Sequence, residues 1–178
     1  MMRKILGYGV VAGLIVGVPM IVTFVALKGH APLTYGMIIG YTTMLIALST
    51  VFVAIKRHRD SDLGGVIGFW HGFGIGLGIS FVASLIYVAT WESLQAFMHM
   101  DFASGYANAL IEQQKAAGAS AEALAKFSAE MEQFKIDYAN PLYRLPMTFT
   151  EIFPVGVLVS LIAAVLLRNR RFLAVRRA

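Results

Sequence analysis

The chain has 178 residues, of which 58% are hydrophobic and 14% are charged, and it carries a net charge of +5. A soluble domain of this length could not bury so much apolar surface, so the composition excludes an ordinary soluble enzyme or binding domain. The sequence contains no cysteine, which excludes disulfides, a thiol nucleophile and a cysteine-based metal site.

Four long apolar runs cover residues 5–27, 35–55, 66–91 and 147–167. Each has about the 20 residues that a helix needs to cross a hydrocarbon core of ~30 Å. The first run follows Arg3 and Lys4, as a signal peptide would, but it is longer than a signal-peptide core and no cleavage site is well placed after it. The sequence therefore predicts four membrane-spanning helices.

Basic residues collect on one side of the membrane if the four spans alternate in direction. That side carries Arg3, Lys4, Lys56, Arg57, Arg59, Arg168, Arg170, Arg171, Arg176 and Arg177. The positive-inside rule then predicts that both termini are cytoplasmic, in a bacterial cytoplasmic membrane. Arginines beside membrane spans indicate contact with anionic lipid headgroups rather than with nucleic acid.

The connection between spans three and four, residues 92–146, has the only soluble composition in the chain. Within it Leu124, Phe127, Met131, Phe134 and Tyr138 recur at steps of three and four, which predicts a helix with one apolar stripe. Ser120 is a suitable N-cap for that helix, Gly118 a break before it and Asn140-Pro141 a stop after it. A second helix over 102–116 would complete an extracytoplasmic helical hairpin. The hairpin would either cap the bundle or dock a protein partner through residues 102–139.

Small residues at every fourth position run through all four spans. In lipid such faces allow close helix contact. The candidate packing residues are Gly9, Gly13, Gly17, Gly36, Gly40, Gly64, Gly68, Gly72, Gly76 and Gly156. The run GFGIGLG lies inside an apolar segment, without the strand before it that a phosphate-binding loop requires. These faces are expected to pack helices together, either within one copy or between copies in a homo-oligomer.

Glu151 is the clearest ionisable group at membrane depth, and such groups are candidates for function. Pro154 lies close after it and is expected to kink the fourth span, as Pro19 is expected to kink the first. Glu92, Arg144 and Tyr87 fall at a similar depth, so all four residues are candidates for binding an ion or solute. Three interpretations stay open: a belt in which Glu92, Arg144 and Glu151 compensate one another, a proton- or cation-handling cluster, and a catalytic site.

The histidines are not expected to form a site, because His58 falls in the inner loop and His71 in the third span. The sequence shows no HExxH, no GxSxG and no clustered aspartates. We therefore expect no metal, no cofactor and no enzymatic activity.

Several segments resemble a known family. They are YGVVAGLIVGVPM, YGMIIGYTTMLIALSTVFVAIKRHRD, SLIYVATWE, NPLYRLPMTF and EIFPVGVLVSLIAAVLLR. They are similar to a bacterial four-span membrane family described only as a domain of unknown function, and the similarity covers essentially the whole chain. The resemblance implies the fold and the membrane location but no mechanism.

The predicted fold is all-α: a four-helix membrane bundle with an extracytoplasmic hairpin. Residues 1–91 would hold spans one to three, 92–146 the hairpin, and 147–178 span four with a basic cytoplasmic tail. The leading functional hypothesis is a non-enzymatic, self-associating accessory or scaffold protein of the cell envelope. The alternative is a small proton- or cation-coupled transporter or channel that uses Glu151 near a proline kink.

Overall fold

The structure of the protein, a computed structural model, describes residues 1–26, 33–99 and 101–174. The side chains of residues 33–37 lie outside this description. The predicted packing contact of Gly36 therefore lies outside it, as do the predicted positions of Arg176 and Arg177.

The described part of the chain is all-helical. Its six helices are α1 (Met2–Ala26), α2 (Leu33–Asp62), α3 (Phe69–Met98), α4 (Phe102–Ala116), α5 (Ala121–Ala139) and α6 (Pro141–Leu167). Of these, α1, α2, α3 and α6 are long and apolar enough to cross a membrane, which confirms the predicted fold class.

The four long helices form a ring in which α1 and α6 each contact both α2 and α3. The centre is filled by side chains with no exposed surface, among them Leu48, Ile79 and Ile152. Large apolar residues such as Leu14 and Leu158 point outward and are exposed, as expected of helices surrounded by lipid.

The start of α1 and the end of α6 lie at one end of this ring, which we call the terminal end. Lys4 Nζ lies 2.5 Å from Asp62 Oδ2, which joins the start of α1 to the end of α2. At the opposite, hairpin end, α4 and α5 pack against each other. Their connection turns at Gly118, whose φ of +79° favours glycine.

The predicted Ser120 cap of α5 is present, and α4 and α6 have caps that were not predicted. Ser120 Oγ accepts a hydrogen bond from the Ala123 amide at 3.2 Å, and Asp101 Oδ1 accepts one from the Ser104 amide at 3.0 Å. Asn140 caps α6 by accepting from the Leu142 amide at 3.0 Å. Each cap satisfies an amide that the first turn of a helix leaves without a backbone partner.

The helices extend beyond several of the limits expected from the apolar runs, as α2 does by continuing to Asp62. Helix α3 begins at Phe69 and continues to Met98, and α6 begins at Pro141, more than one turn before the predicted span. Hydropathy marks the part of a helix in lipid, whereas capping residues and turns decide where the helix itself begins and ends. The boundaries expected at residues 91 and 146 therefore fall inside helices.

The glycines of α1 lie against α3. A Cβ at Gly9 would lie 2.6 Å from Val82, one at Gly13 2.7 Å from Ile86, and one at Gly17 3.0 Å from Thr90. Distances this short leave no room for a side chain. The row thus allows the parallel helices α1 and α3 to approach closely.

Helices α3 and α6 meet through a reciprocal pair of small residues. A Cβ on Gly76 would lie 2.6 Å from Ser160, and a Cβ on Gly156 would lie 2.6 Å from Ser80. The hydroxyls of Ser80 and Ser160 are 3.3 Å apart and fully buried. Gly72, in ordinary contact with Ile55 at 3.4 Å, completes the row. These glycines therefore pack within one copy of the chain.

Three of the expected packing glycines have a different setting. Gly64 has a φ of +63° and lies in the turn before α3, and Gly68 is the N-cap residue of that helix. A Cβ at either position, or at Gly40, would meet no atom within 4 Å. Gly64 and Gly68 therefore make no packing contact within one copy, because the four-residue pattern begins in the loop, before the helix; a contact between copies stays a prediction.

A fully buried arginine closes the terminal end. Arg59, on α2, donates hydrogen bonds to the carbonyls of Leu167, Phe172 and Leu173 at 3.3, 2.9 and 3.1 Å. Its Nε donates to Asp60 at 2.7 Å. The guanidinium thus satisfies carbonyls that the end of α6 leaves without helical partners.

Candidate functional site

A cavity of about 480 Å³ lies at the hairpin end of the bundle. The four long helices form its sides, and the hairpin helices α4 and α5 also contribute to its lining. Its volume lies within the range of ~300–1,000 Å³ that is typical of small-molecule sites. Its surface is mainly apolar and aromatic, with a few polar groups such as Thr23, Thr43 and Gln113.

Glu151 lies about one turn after Met147 on α6. It is the one carboxylate among the described residues that line the cavity. It accepts a hydrogen bond from the Tyr87 hydroxyl on α3 at 2.8 Å. Tyr87 is 9% exposed, whereas Glu151 is exposed because it faces the open cavity. Among the described residues no lysine, arginine or histidine forms an ion pair with Glu151.

Arg144 pairs with Glu92 rather than with Glu151. Its Nε and Nη2 donate to the two carboxylate oxygens of Glu92 at 2.7 and 2.6 Å, and its Nη1 donates to the Tyr138 carbonyl at 3.2 Å. Neither Arg144 nor Glu92 lines the cavity. The predicted three-residue belt is therefore divided into two pairs, Glu92 with Arg144 and Glu151 with Tyr87.

Aromatic residues join the hairpin to the bundle around the cavity. Trp91 Nε1 donates to the Tyr138 hydroxyl at 2.8 Å, and the rings of Trp91 and Phe102 meet edge to face with centroids 4.8 Å apart. Phe24 packs on Trp91 at 5.2 Å and Phe134 on Tyr138 at 5.3 Å. Such contacts hold α4 and α5 over the cavity.

Tyr138 is a neutral polar group of this wall. Burial raises the pKa of Tyr138 to about 12, with the nearby Glu151 acting in the same direction. The phenol therefore keeps its proton at neutral pH and, while accepting from Trp91, can still donate a hydrogen bond.

The two prolines predicted to kink their helices both lie inside them. Pro19 is in α1 and lines the cavity, and Pro154 is in α6, three residues after Glu151. Neither can donate the backbone hydrogen bond that a helix interior requires. The kinks remain predictions.

Two histidines meet at the terminal end, contrary to expectation. The Nε2 atoms of His58 and His71 are 3.3 Å apart, and the rings stack with centroids separated by 5.4 Å. Asp62 Oδ2 lies 2.5 Å from His58 Nδ1. The turn at Gly64 and Gly65 returns the chain and brings the start of α3 beside the end of α2. Even so, no group of three or more metal-binding side chains occurs within the described ranges.

The sequence indicated Glu151 and Tyr87 but not the cavity that they line. Tyr41, Tyr106, Phe134 and Gln113 were missed, because they come from three other helices. A weak signal was present in the apolar stripe of α5, which contains Phe134 and Tyr138. That stripe predicts a buried face without saying what the face covers.

Comparisons with known proteins give one family and no individual relative. No curated protein and no solved structure matches the chain. A family model described as "Protein of unknown function (DUF4199)" matches residues 7–169. The match extends from the first turns of α1, through the hairpin, to the end of α6. The chain therefore belongs to the DUF4199 family.

Proposed function

We propose that this protein is a non-enzymatic, multi-pass membrane protein that binds a small solute in the cavity at its hairpin end, with Glu151 supplying the charge. One observation carries the proposal: a cavity of about 480 Å³ contains a carboxylate whose hydrogen-bond partner is a single tyrosine hydroxyl. Apolar walls with a few convergent polar groups are the usual features of a binding site. A carboxylate at membrane depth is energetically costly, so its presence there makes it a candidate for function.

The close packing of α3 against α6, between the cavity and the terminal end, favours a binding site over an open channel. Toward the terminal end, α3 and α6 close on each other through Gly76, Ser80, Gly156 and Ser160. Passage of a solute would require these helices to separate. Pro154 lies between Glu151 and Gly156, so the helix has fewer internal hydrogen bonds where such a movement would begin. The site is therefore proposed as a receptor or carrier site accessible from one side.

Two glycine variants test solute binding. Gly40 lines the cavity and Gly74 does not, yet a Cβ at either position would meet no atom within 4 Å. Leucine at position 40 should therefore fill the cavity without disturbing helix packing. Native mass spectrometry of mildly extracted protein should detect a bound small molecule in the wild type and in Gly74→Leu, but not in Gly40→Leu. Equal occupancy in both variants, or none in the wild type, would contradict the proposal.

We place the protein in a bacterial cytoplasmic membrane, with the terminal end in the cytoplasm. The support is the excess of lysine and arginine at that end. Since the chain has no cysteine, single-cysteine variants report sidedness directly. Exposed Ala129 on α5 and exposed Ser61 on α2 are suitable sites. A membrane-impermeant maleimide should label Ala129→Cys in intact cells and Ser61→Cys only after lysis; the reverse pattern would invert the topology.

A second candidate function is docking of a protein partner at the hairpin. Three large apolar side chains in or beside it are strongly exposed: Phe97 at 85%, Leu142 at 82% and Ile136 at 67%. In vivo crosslinking from the exposed position 129 tests this, with Ile136→Ser as the variant that should lose the crosslink. Deleting residues 102–139 would not be a clean test, because Phe102 and Tyr138 also cover Trp91.

Self-association was expected through the glycine faces. The rows of α1 and α3 pack inside one copy, so a homo-oligomer would have to use another face of the bundle. Native mass spectrometry of the same preparations gives the number of copies.

A further inference from the structure

We propose that the occupant of the cavity is an organic cation: an ammonium group attached to an apolar body. This inference rests on the proposed solute-binding function and names the class of ligand. The charge, the walls and the size of the cavity each support it.

The charge of the cavity selects a cation. A carboxylate has two oxygens with about four positions for accepting hydrogen bonds, and Tyr87 fills one of those on Glu151. A neutral apolar ligand would cover the carboxylate without compensating its charge, and an anion would be repelled by it. An ammonium group placed beside Glu151 would supply the opposite charge, and one that carries N–H groups would also supply hydrogen-bond donors.

The walls of the cavity select an organic cation rather than a metal ion. Calcium and magnesium need about six or more oxygen ligands, whereas the described residues offer no group of three or more histidine, cysteine, aspartate or glutamate side chains. The lining instead includes Trp91, Phe102, Tyr106 and Phe134. Aromatic faces attract ammonium groups and also contact apolar substituents, so they suit both parts of such a ligand.

The size of the cavity adds to this argument. A proton or a bare alkali ion would leave most of about 480 Å³ empty or filled by water. An amine with an aromatic or branched alkyl body fills such a volume. Two sources share this chemistry: a free amphipathic amine, and the ammonium headgroup of a membrane lipid.

The test uses Trp91 as a fluorescence reporter on the cavity wall. The other tryptophan, Trp70, is 78% exposed on the first turn of α3 and can be replaced by Trp70→Phe. The protein in nanodiscs is titrated with benzyltrimethylammonium and with neopentylbenzene, its neutral carbon isostere. We expect the cation to bind about tenfold or more tightly than the isostere.

Glu151→Gln should remove most of that preference. Glu132→Gln is the matched control, because Glu132 is an exposed carboxylate paired with Lys135 on the hairpin and does not line the cavity. The comparison of the two probes in the Trp70→Phe protein needs no change at position 151, so it still decides the question if Glu151→Gln does not fold.

The possible outcomes separate this inference from the proposed function. Equal binding of both probes, or an unchanged preference in Glu151→Gln, would overturn the organic cation and leave a solute site. Binding of neither probe, together with a native ligand that is lost in Gly40→Leu, would also overturn the organic cation and leave a solute site. Binding of neither probe and no native ligand would overturn both. If the cation binds, weaker binding in nanodiscs rich in phosphatidylethanolamine than in phosphatidylglycerol identifies the lipid source, and equal binding identifies a free amine.

Discussion

The guanidinium of Arg144 forms two parallel hydrogen bonds with the carboxylate of Glu92, at 2.7 and 2.6 Å. Glu92 lies on α3 and Arg144 on the first turns of α6, so this pair joins the two places where the hairpin leaves and rejoins the bundle. The third contact of Arg144, to the Tyr138 carbonyl at 3.2 Å, adds the end of α5 to the same joint. The joint holds the hairpin over the cavity.

Breaking this joint should destabilise the hairpin end. Glu92→Gln leaves Arg144 without its charged partner. Both side chains are partly buried, with Arg144 18% exposed and Glu92 27% exposed. We expect a loss of about 1–3 kcal/mol in the free energy of unfolding. Glu132→Gln removes an exposed pair of the same type and should cost less than about 0.5 kcal/mol. Denaturant unfolding in detergent measures both; equal losses would show that the joint contributes no more than a surface pair.

Adding one methyl group should have opposite effects at two glycines of α3. At Gly76 the new Cβ would lie 2.6 Å from the Ser160 side chain and 3.1 Å from its Cα, so α3 and α6 must move apart. Gly76→Ala should therefore cost about 1–3 kcal/mol. At Gly74 the Cβ meets nothing within 4 Å, so Gly74→Ala should be neutral or stabilising by up to ~1 kcal/mol. Thermal unfolding in one detergent compares them, and a stable Gly76→Ala would contradict the close packing.

Removing the buried arginine should release the C-terminal turn. Arg59→Met keeps the length of the side chain but withdraws the donors from Leu167, Phe172 and Leu173. The bond to Leu167 is buried, and a buried carbonyl left without its partner costs about 1–3 kcal/mol. Limited trypsin digestion should cut faster within residues 168–171 in Arg59→Met than in Arg57→Met, the exposed neighbour. Equal cutting rates would show that the arginine does not hold the turn.

The start of α4 should loosen in acid. Hydrogen bonds from Ser104 lower the pKa of Asp101 below its ordinary value. The ionised cap therefore stabilises the helix fully at a pH above the ordinary pKa of an aspartate. The stabilisation is lost as the pH falls through the lowered pKa, because the protonated carboxyl is a weaker acceptor. Exchange of the first-turn amides of α4 should then accelerate. Asp101→Ala should show fast exchange at every pH, at a cost of about 0.5–2 kcal/mol.

The serine cap of α5 provides the control for this pH effect. Ser120 Oγ caps α5 as Asp101 caps α4, but it does not titrate in this range. Amides at the start of α5 should therefore keep their cap as the pH falls. Parallel loss of both caps would indicate general unfolding of the hairpin.

The spans could be predicted because lipid imposes a length of about 20 apolar residues on any helix that crosses it. That rule does not apply to polar helical turns beyond the membrane, which explains the missed extensions of α3 to Met98 and of α6 back to Pro141. The hairpin could be predicted because Ser120, Gly118 and Asn140 act through their immediate neighbours.

The partners of side chains could not be predicted in the same way. Arg144 lies seven residues from Glu151 on the same helix, yet it binds Glu92, which is 52 residues away. Period-four spacing marked Gly76 and Gly64 equally, although one faces Ser160 and the other lies in a turn. The cavity itself is lined by six separate helices. A pattern within one segment carries no information about which other helices pack around the same space.

The buried setting of Arg59 has a consequence for how the chain is made. The Leu167 carbonyl that it caps lies 108 residues later, and the Leu173 carbonyl lies 114 residues later. While the ribosome is still adding α6, this guanidinium is paired with Asp60 but has none of those carbonyl acceptors, so the newly inserted α2 cannot yet enclose it without leaving hydrogen-bond donors unpaired. Residues 167–173 thus complete the terminal end only after α6 has been made, and a chain that stopped at residue 167 would lack the acceptors at Phe172 and Leu173.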